Sequence, residues 1–337
     1  MKRLIPAVTG ACAIVLGQGM ASADEVPDAS STEAPAMTGF GERLVLAWAG
    51  ESGTQEHRVW YSTFNGTWTA AAEVPDALTT AAPALGVADN HLYLLVTPPG
   101  VNNKIYYYAA NGTTFTADGL QLCDAGACAE TRAKPALLGD GSTLYAAWST
   151  ANGSIGYGAL SHGSWFVSTP SIPHALTNPS LGPTLALYQD KLYVAWVDPS
   201  EQVVSVATAT LPLTSSSWSH EVVQLPIHTQ VAPAMSVLNL VSSSNPAAEA
   251  LFLSWTTVES TINFERWNPS DGQWSATNTP IPLPSGPLTS VSPALTSSTL
   301  EAADQQCFVT NSLAYTDRGT HHVFVKKTTR QNPKGCP

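Results

Sequence analysis

Apolar runs of four to seven residues recur along the chain, each rich in Val, Ile, Leu, Tyr or Trp and bounded by Gly, Asn, Asp or Pro. That length and those boundaries predict β-strands, and no segment sustains the spacing of an amphipathic helix. The runs form a four-part unit. A Pro-anchored opening starts near residues 35, 83, 135, 183, 233 and 293, as in APAM at Pro35 and KPAL at Pro135. A second run ends on a large residue: LVLAW at Trp48, LYLLV at Val96, LYAAW at Trp148, LYVAW at Trp196, LFLSW at Trp255 and SLAY at Tyr315. A third run follows a polar loop, as in RVWYS, SIGYG and TINFE. A turn with an aromatic comes last, as in NGTW at Trp68 and HGSW at Trp165, and the sixth copy lacks it. Several runs are apolar at consecutive positions, as strands covered on both faces should be. Four strands per unit of about 50 residues, six times over, predict an all-β, six-bladed β-propeller of four-stranded blades.

The two ends of the chain add to this picture. Lys2 and Arg3, an apolar run from Leu4 to Leu16, and the small residues Ala21-Ser22-Ala23 read as a secretory signal peptide over residues 1–23. The run is too short and too broken by Pro6 and Gly10 to span a bilayer. Residues 24–337 are then a single propeller, secreted or held in the periplasm or at the cell surface. The phrase EVPDASSTEAPAM at Glu25 returns as EVPDALTTAAPAL at Glu73, where it closes the fourth strand of the first blade. At Glu25 it is expected to do the same for the last blade, whose tail TTRQNPKGCP has two prolines and a glycine where a fourth strand belongs. The N-terminal segment, about residues 24–27, would thus close the ring on the last blade.

Outside the signal segment the chain holds Cys123, Cys128, Cys307 and Cys336, and 12 basic residues against 25 acidic ones, a net charge near −13. Four cysteines in an exported chain suggest two disulfides. Three pairings are possible, but Cys123 and Cys128 in CDAGAC are close enough to clip one hairpin, leaving Cys307 to Cys336 as a second clasp. The negative charge excludes nucleic acid and anionic membrane surfaces as partners. The sequence leaves the oligomeric state unknown.

The plan P-A-L, then L-Y-x-A-W, then I-Y-Y, then a turn and Trp, resembles the BNR or Asp-box-repeat propellers of the sialidase-like superfamily, and in particular their non-catalytic, lectin-like members. The Asp boxes themselves are degenerate, as at Asn65-Gly66-Thr67-Trp68 and Asp271-Gly272-Gln273-Trp274. The resemblance implies ligands on the face that carries the loops between second and third strands and the crossings between blades. That face is expected to gather Trp48, Glu51 and Arg58 from the first blade, Trp148 from the third, Trp196 and Asp198 from the fourth, Trp255 and Glu259 from the fifth, and Tyr315, Asp317 and Arg318 from the sixth. Trp with carboxylates and arginine suits sugars, which offer C–H faces to aromatic rings and hydroxyls to charged groups. The rival reading makes the recurring Trp an inter-blade packing residue.

The expectation is therefore an exported carbohydrate-binding module with glycans or glycoconjugates as partners. A sialidase-type glycoside hydrolase is the alternative, and an extracellular protein-interaction scaffold a further one. A sialidase needs three arginines to clamp a carboxylate. Arg58, Arg266 and Arg318 are the available set, since Arg43 and Arg132 are expected on the side away from the rest. Asp198 and Glu259 would be its acid and base. No G-x-S-x-G elbow and no phosphate-cradling loop occurs. No cofactor is expected. The paired His321-His322 would point to opposite faces of a strand and chelate poorly. A hard metal held by loop oxygens leaves no readable motif, so calcium stays compatible.

Overall fold

The structure is a computed structural model that describes residues 23–51, 57–100, 103–124, 126–168, 171–214, 217–219, 222–239, 249–268, 273–276, 289–301 and 307–332. Residues 1–22 of the expected signal segment and Cys336 lie outside these residues. Six four-stranded antiparallel blades stand in a ring, with no helix among the described residues. Blade one contains β2 (Ala36–Phe40), β3 (Arg43–Ala49), β4 (Arg58–Phe64) and β5 (Ala72–Leu78). Blade two has β6 (Ala84–Ala88), β7 (His91–Val96) and β8 (Tyr106–Asn111), with the short β9 (Thr114–Phe115) and β10 (Leu120–Gln121) sharing its outer edge. Blade three has β11 (Ala136–Asp140), β12 (Thr143–Ser149), β13 (Ile155–Ser161) and β14 (Ser164–Val167). Blade four has β15 (Thr184–Tyr188), β16 (Lys191–Val197), β17 (Val203–Thr210) and β18 (Val223–His228). Blade five has β19 (Ala234–Asn239), β20 (Glu249–Thr256), β21 (Ile262–Asn268) and β22 (Gln273–Ala276). Blade six has β23 (Ala294–Glu301), β24 (Cys307–Thr316) and β25 (His322–Asn332), and its outer strand is β1 (Asp24–Ser30).

Each inner strand starts on the residue after a repeat proline. Proline fixes its own φ and biases the preceding residue to extended backbone, so the crossing chain arrives already aimed along the axis. The inner strands crowd there: a Cβ on Gly139 would lie 1.6 Å from the carbonyl oxygen of Val87 in the neighbouring blade. Apolar side chains fill the seams between blades. The large residue ending each second strand packs toward the preceding blade, Trp48 toward blade six, Trp148 toward blade two and Trp196 toward blade three.

One polar device repeats in all six blades. Ser31, Thr79, Thr131, Thr177, Thr229 and Thr289, where the chain leaves each outer strand, are at most 2% exposed. The backbone N–H of each donates to the carbonyl of a residue one to three positions before the third strand of the same blade: His321, His57, Asn103, Gly153, Gln202 and Ser260 respectively, at 2.7–3.2 Å. All six acceptor residues have positive φ, between 55° and 78°. The hydroxyls of Ser31, Thr79, Thr131, Thr229 and Thr289 then cap the crossing turn by accepting from the N–H two residues on. Thr229 Oγ1 accepts from the Val231 N–H and lies 2.9 Å from the carbonyl of Thr256 in the next blade.

The N-terminal strand closes the ring on blade six. Asp24 and Glu25 pair with Val325 and Phe324, and the strand reaches Ser30, beyond the four residues expected. The two copies of the EVPDA phrase adopt one conformation, with Asp28 and Asp76 both at φ 59°. Val26 and Ala29 are buried in the closing seam. Asp24 meets Lys327 at 2.7 Å, and the Lys327 ammonium stands 3.3 Å from the centre of the Phe64 ring in blade one. Glu25 pairs with His322 at 2.7 Å. Glu51 of blade one accepts from Ser30 Oγ and meets His321 Nδ1, both at 2.5 Å, and these bonds hold its carboxyl below the ordinary value.

Two details of the sequence reading change. The tail from Thr328 to Asn332 is ordered strand: it continues β25 and pairs with Asn311 to Cys307 of β24. In blades one and four the turn aromatics Trp68 and Trp218 make only isolated bridges, and the fourth strands proper come later, carrying Pro75 and Pro226. Proline is tolerated there because these are edge strands, as is β1 with Pro27.

Deleting residues 24–30 should expose the closing seam and lower Tm by several degrees; a truncated chain melting at the wild-type temperature would refute the clasp. Because Glu51 has a depressed carboxyl pKa in the fold, its contribution is complete above about pH 4.5 and fades as pH falls through the folded value. Glu51→Gln should accordingly lower Tm at pH 6 and converge with wild type in acid, as followed by thermal melts from pH 6 to pH 3.

Candidate functional site

The four tryptophans and the tyrosine chosen from sequence are seam residues. Trp48, Trp196 and Tyr315 are 0–1% exposed, and Trp255 is buried as well. Burial pushes the Tyr315 phenol up to about 12, with the nearby Asp317 adding to the shift, so it stays protonated. Asp198 and Asp317 occupy the same turn position in blades four and six. Asp198 Oδ1 accepts from the Ser200 N–H at 2.8 Å, and Asp317 Oδ1 accepts from the N–H groups of Gly319 and Thr320 at 3.1 and 2.7 Å. Both carboxylates shape their own loops. Glu259 is exposed on the corresponding turn of blade five.

Arg58 and Arg318 have different partners: Arg58 pairs with Glu73 of its own blade and Arg318 donates to Ser260 of blade five, while Arg266 stands within β21 opposite Phe252. At the mouth of the axial channel, a narrow space of about 90 Å³, desolvation lowers Lys134 to about 8 and raises Glu33, and the attraction between them opposes both shifts. The channel wall is otherwise mostly apolar, formed by residues such as Met37, Leu85, Leu185 and Met235.

The seam between blades two and three is different. A cavity of about 340 Å³ opens there, lined by Asn103, Glu130, Thr131 and Arg132 on the blade-two side, and by Trp148, Thr150, Gly156 and Ser168 on the blade-three side. The volume is at the lower end of the range for small-ligand sites. Its cause is legible in the strand pairing. Opposite the seam residue of each second strand stands a third-strand residue: Trp60, Tyr106, Gly156, Ser205, Asn263 and Phe324 in blades one to six. Only blade three has glycine. A Cβ at Gly156 would lie 2.5 Å from the Trp148 indole nitrogen, so the glycine lets the ring lie flat against the strand and leaves the space beyond it open.

The crossing residue after each buried hydroxyl also varies: Thr32, Thr80, Arg132, Asn178, Gln230 and Ser290. The one arginine therefore falls at the one glycine-opened seam. Arg132 and Glu130 are exposed, and among the described residues neither side chain has an ion-pair partner. This corrects the expectation that Arg132 lies away from the ligand face. The crossing into blade three arrives on the same face as the loops between second and third strands, because Thr131 is bonded to Asn103 of such a loop at 2.7 Å. Thr150 is fixed by Asn152 and Ser154, and Ser154 Oγ lies 2.9 Å from Ser171 Oγ.

The expected Cys123–Cys128 disulfide is formed and forms part of the cavity wall. The Cys307–Cys336 bridge falls outside the described residues. Among the described residues, no group of three His, Cys, Asp or Glu side chains is placed to hold a metal.

No family model matches the sequence, and comparison with curated protein sequences finds no match. Solved structures do. AofleA from Arthrobotrys oligospora aligns over 94% of this chain and 91% of its own, with a TM-score of 0.63 at 13% identity, and its triple arginine-to-alanine mutant aligns at 0.65. The Aleuria aurantia lectin in complex with Fucα1-6GlcNAc aligns over 91% of this chain and 97% of its own, with a TM-score of 0.56 at 12% identity. The Hadza microbial sialidase Hz136 aligns over 90% of this chain and 66% of its own, with a TM-score of 0.52 at 11% identity. At these identities the likeness establishes the architecture: the chain is a six-bladed β-propeller similar in fold to fungal fucose lectins and to a sialidase.

Proposed function

We propose that this protein is an exported carbohydrate-binding module, a lectin-like member of the sialidase-like propellers, and that the seam between blades two and three is its glycan site. The observation that carries the reading is the coincidence, in one seam of six, of Gly156 opposite Trp148 with Arg132 and Glu130 at the rim. A pyranose presents an apolar C–H patch on one side and hydroxyls around its edge. The part of the Trp148 ring that reaches the cavity, on a side chain only 3% exposed, offers an apolar contact, while the guanidinium fork, the carboxylate and the Thr150 and Ser168 hydroxyls meet the second requirement. Fucose-terminated glycans are the first candidates, because the Aleuria aurantia structures of the same architecture are described as a fucose-specific lectin and as complexes with fucosides. The hydrolase reading has less support: the two acids named for it have other surroundings, Asp198 capping its turn and Glu259 exposed on a different blade.

A glycan array should show binding to a restricted set of glycans, and a blank array at high protein concentration would remove the reading. Arg132→Ala should weaken binding by at least about tenfold, as expected for losing a charged hydrogen bond of roughly 1.5–3 kcal/mol. Gly156→Ala should both occlude the cavity and overpack the seam, lowering stability by about 1–3 kcal/mol together with glycan affinity. Thermal melts and titration calorimetry on the same preparation check the two effects.

A further inference from the structure

The crossings also differ where they reach the axis. The residue just before each repeat proline is Ala34, Ala82, Lys134, Gly182, Ala232 or Ser292, and the one before that is Glu33, Ala81, Ala133, Leu181, Val231 or Val291. One cation and one anion thus stand at the axial mouth among residues that are otherwise small or apolar. Their backbones are fixed. The Glu33 carbonyl accepts from Thr316 Oγ1 at 2.9 Å and its N–H donates to Ser31 Oγ at 3.0 Å, while the Ala133 N–H donates to Thr131 Oγ1 at 3.1 Å. The next crossing packs against Lys134 so closely that a Cβ on Gly182 would lie 2.0 Å from the Lys134 carbonyl oxygen.

The Lys134 amine lacks the partner that a structural lysine has. Among the described residues it makes no ion pair, and Glu33 attracts it across the mouth without contact. Lys134 is partly exposed and lines the channel beside Pro135, Pro183 and Leu185, and no other titratable side chain lines that space among the described residues. Desolvation pushes its ammonium down to about 8, and the Glu33 carboxylate opposes the fall. Glu130 and Arg132, the other charges on this crossing, are exposed to solvent. A lysine in such surroundings holds neutral amine near neutral pH, and the neutral amine is the nucleophile.

We propose that Lys134 is a covalent capture site for small aldehydes at the mouth of the axial channel, independent of the glycan site in the seam. The Nζ lone pair attacks the carbonyl carbon and the C=O π pair moves to oxygen; a proton passes from nitrogen to oxygen to give a carbinolamine. The nitrogen lone pair then expels that oxygen as water, with a proton from solvent, and the iminium returns a proton to solvent, so that amine and aldehyde become imine and water. The space of about 90 Å³ suits a short aliphatic aldehyde and excludes a bicyclic aromatic one.

The test treats the folded full chain with substoichiometric propionaldehyde and cyanoborohydride, which reduces the imine to a stable secondary amine, and reads each lysine by peptide mass spectrometry from pH 6 to pH 9. At pH 7 Lys134 should be labelled at least about tenfold faster than the exposed Lys191, which keeps an ordinary lysine's small neutral fraction. The ratio of the two rates should fall as pH rises past about 8, where Lys134 is already neutral and Lys191 is still gaining neutral amine. With 2-naphthaldehyde the preference for Lys134 should vanish. Glu33→Gln should speed Lys134 labelling at pH 7, because it removes the attraction that favours the ammonium. Labelling of Lys134 no faster than Lys191, a ratio that does not change with pH, a preference retained with 2-naphthaldehyde, or slower labelling in a folded Glu33→Gln chain would each overturn the proposal.

Discussion

Every blade depends on one buried hydroxyl-bearing residue bonded to one backbone carbonyl. Where the chain leaves an outer strand, the N–H of Ser31, Thr79, Thr131, Thr177, Thr229 or Thr289 is held by a left-handed residue at the root of the third strand. The outer strand is thereby tied to its own blade at the moment the chain turns toward the next one. A buried N–H without a partner would cost about 1–3 kcal/mol, so six such points set the geometry of the crossings. The same tie places each crossing beside a loop between second and third strands. That is why one face of the ring gathers both sets of loops, and why a residue next to the tie, such as Arg132, stands at the mouth of a seam.

A scaffold fixed through the backbone leaves side chains in the loops and seams free to differ. Comparing the six copies therefore separates scaffold from site. The large second-strand residue recurs and is buried, which makes it scaffold, although in the open seam Trp148 also lines the cavity. The residue across from it varies from Trp60 to Gly156, and the seam is filled or open accordingly. The clasp at the other end of the ring follows the same logic. Because β1 and β25 come from opposite ends of the chain, that blade has no short covalent link between its outer pair, and three polar contacts from Asp24, Glu25 and Ser30 supplement the buried Val26 and Ala29.

Much of the ring was legible from sequence. Inner and second strands are covered on both faces, so their apolar runs and Pro anchors mark them without ambiguity. Outer strands are half solvated and tolerate proline at an edge, which is why Pro226 concealed β18, whereas β5 showed itself only through the repeated EVPDA phrase and the turn aromatics were otherwise the stronger signal. The site was less legible. Asp198 and Asp317 looked like ligand groups because polar loop residues carry no mark of whether they face solvent or their own backbone. Both turned inward to cap N–H groups that the turn leaves unpaired. Arg132 was misplaced because position before a first strand was taken to mean the opposite face, when the crossing returns to the loop face. Gly156 had a readable signal: it is the third letter of SIGYG, where the other copies have Trp, Tyr, Ser, Asn and Phe.

The energetics of that position support the proposal that the open seam is a ligand site and weigh against loose packing. A glycine within a strand costs roughly 0.5–1 kcal/mol in backbone entropy relative to alanine, and replacing a buried aromatic there forgoes about 2–3 kcal/mol of burial. The cheaper arrangement is the one adopted in blades one, two and six, where Trp60, Tyr106 and Phe324 stand across from the seam residue. The weaker seam is instead reinforced from outside it: the Cys123–Cys128 hairpin and the Asp124 bond to Val167 hold blades two and three together around the gap. A gap that is braced and left unfilled, with an arginine at its rim that has no ion-pair partner among the described residues, has a preorganised frame. A ligand entering it meets a braced backbone and seam already in place, so that ordering on binding is confined to exposed side chains such as Arg132 and Glu130.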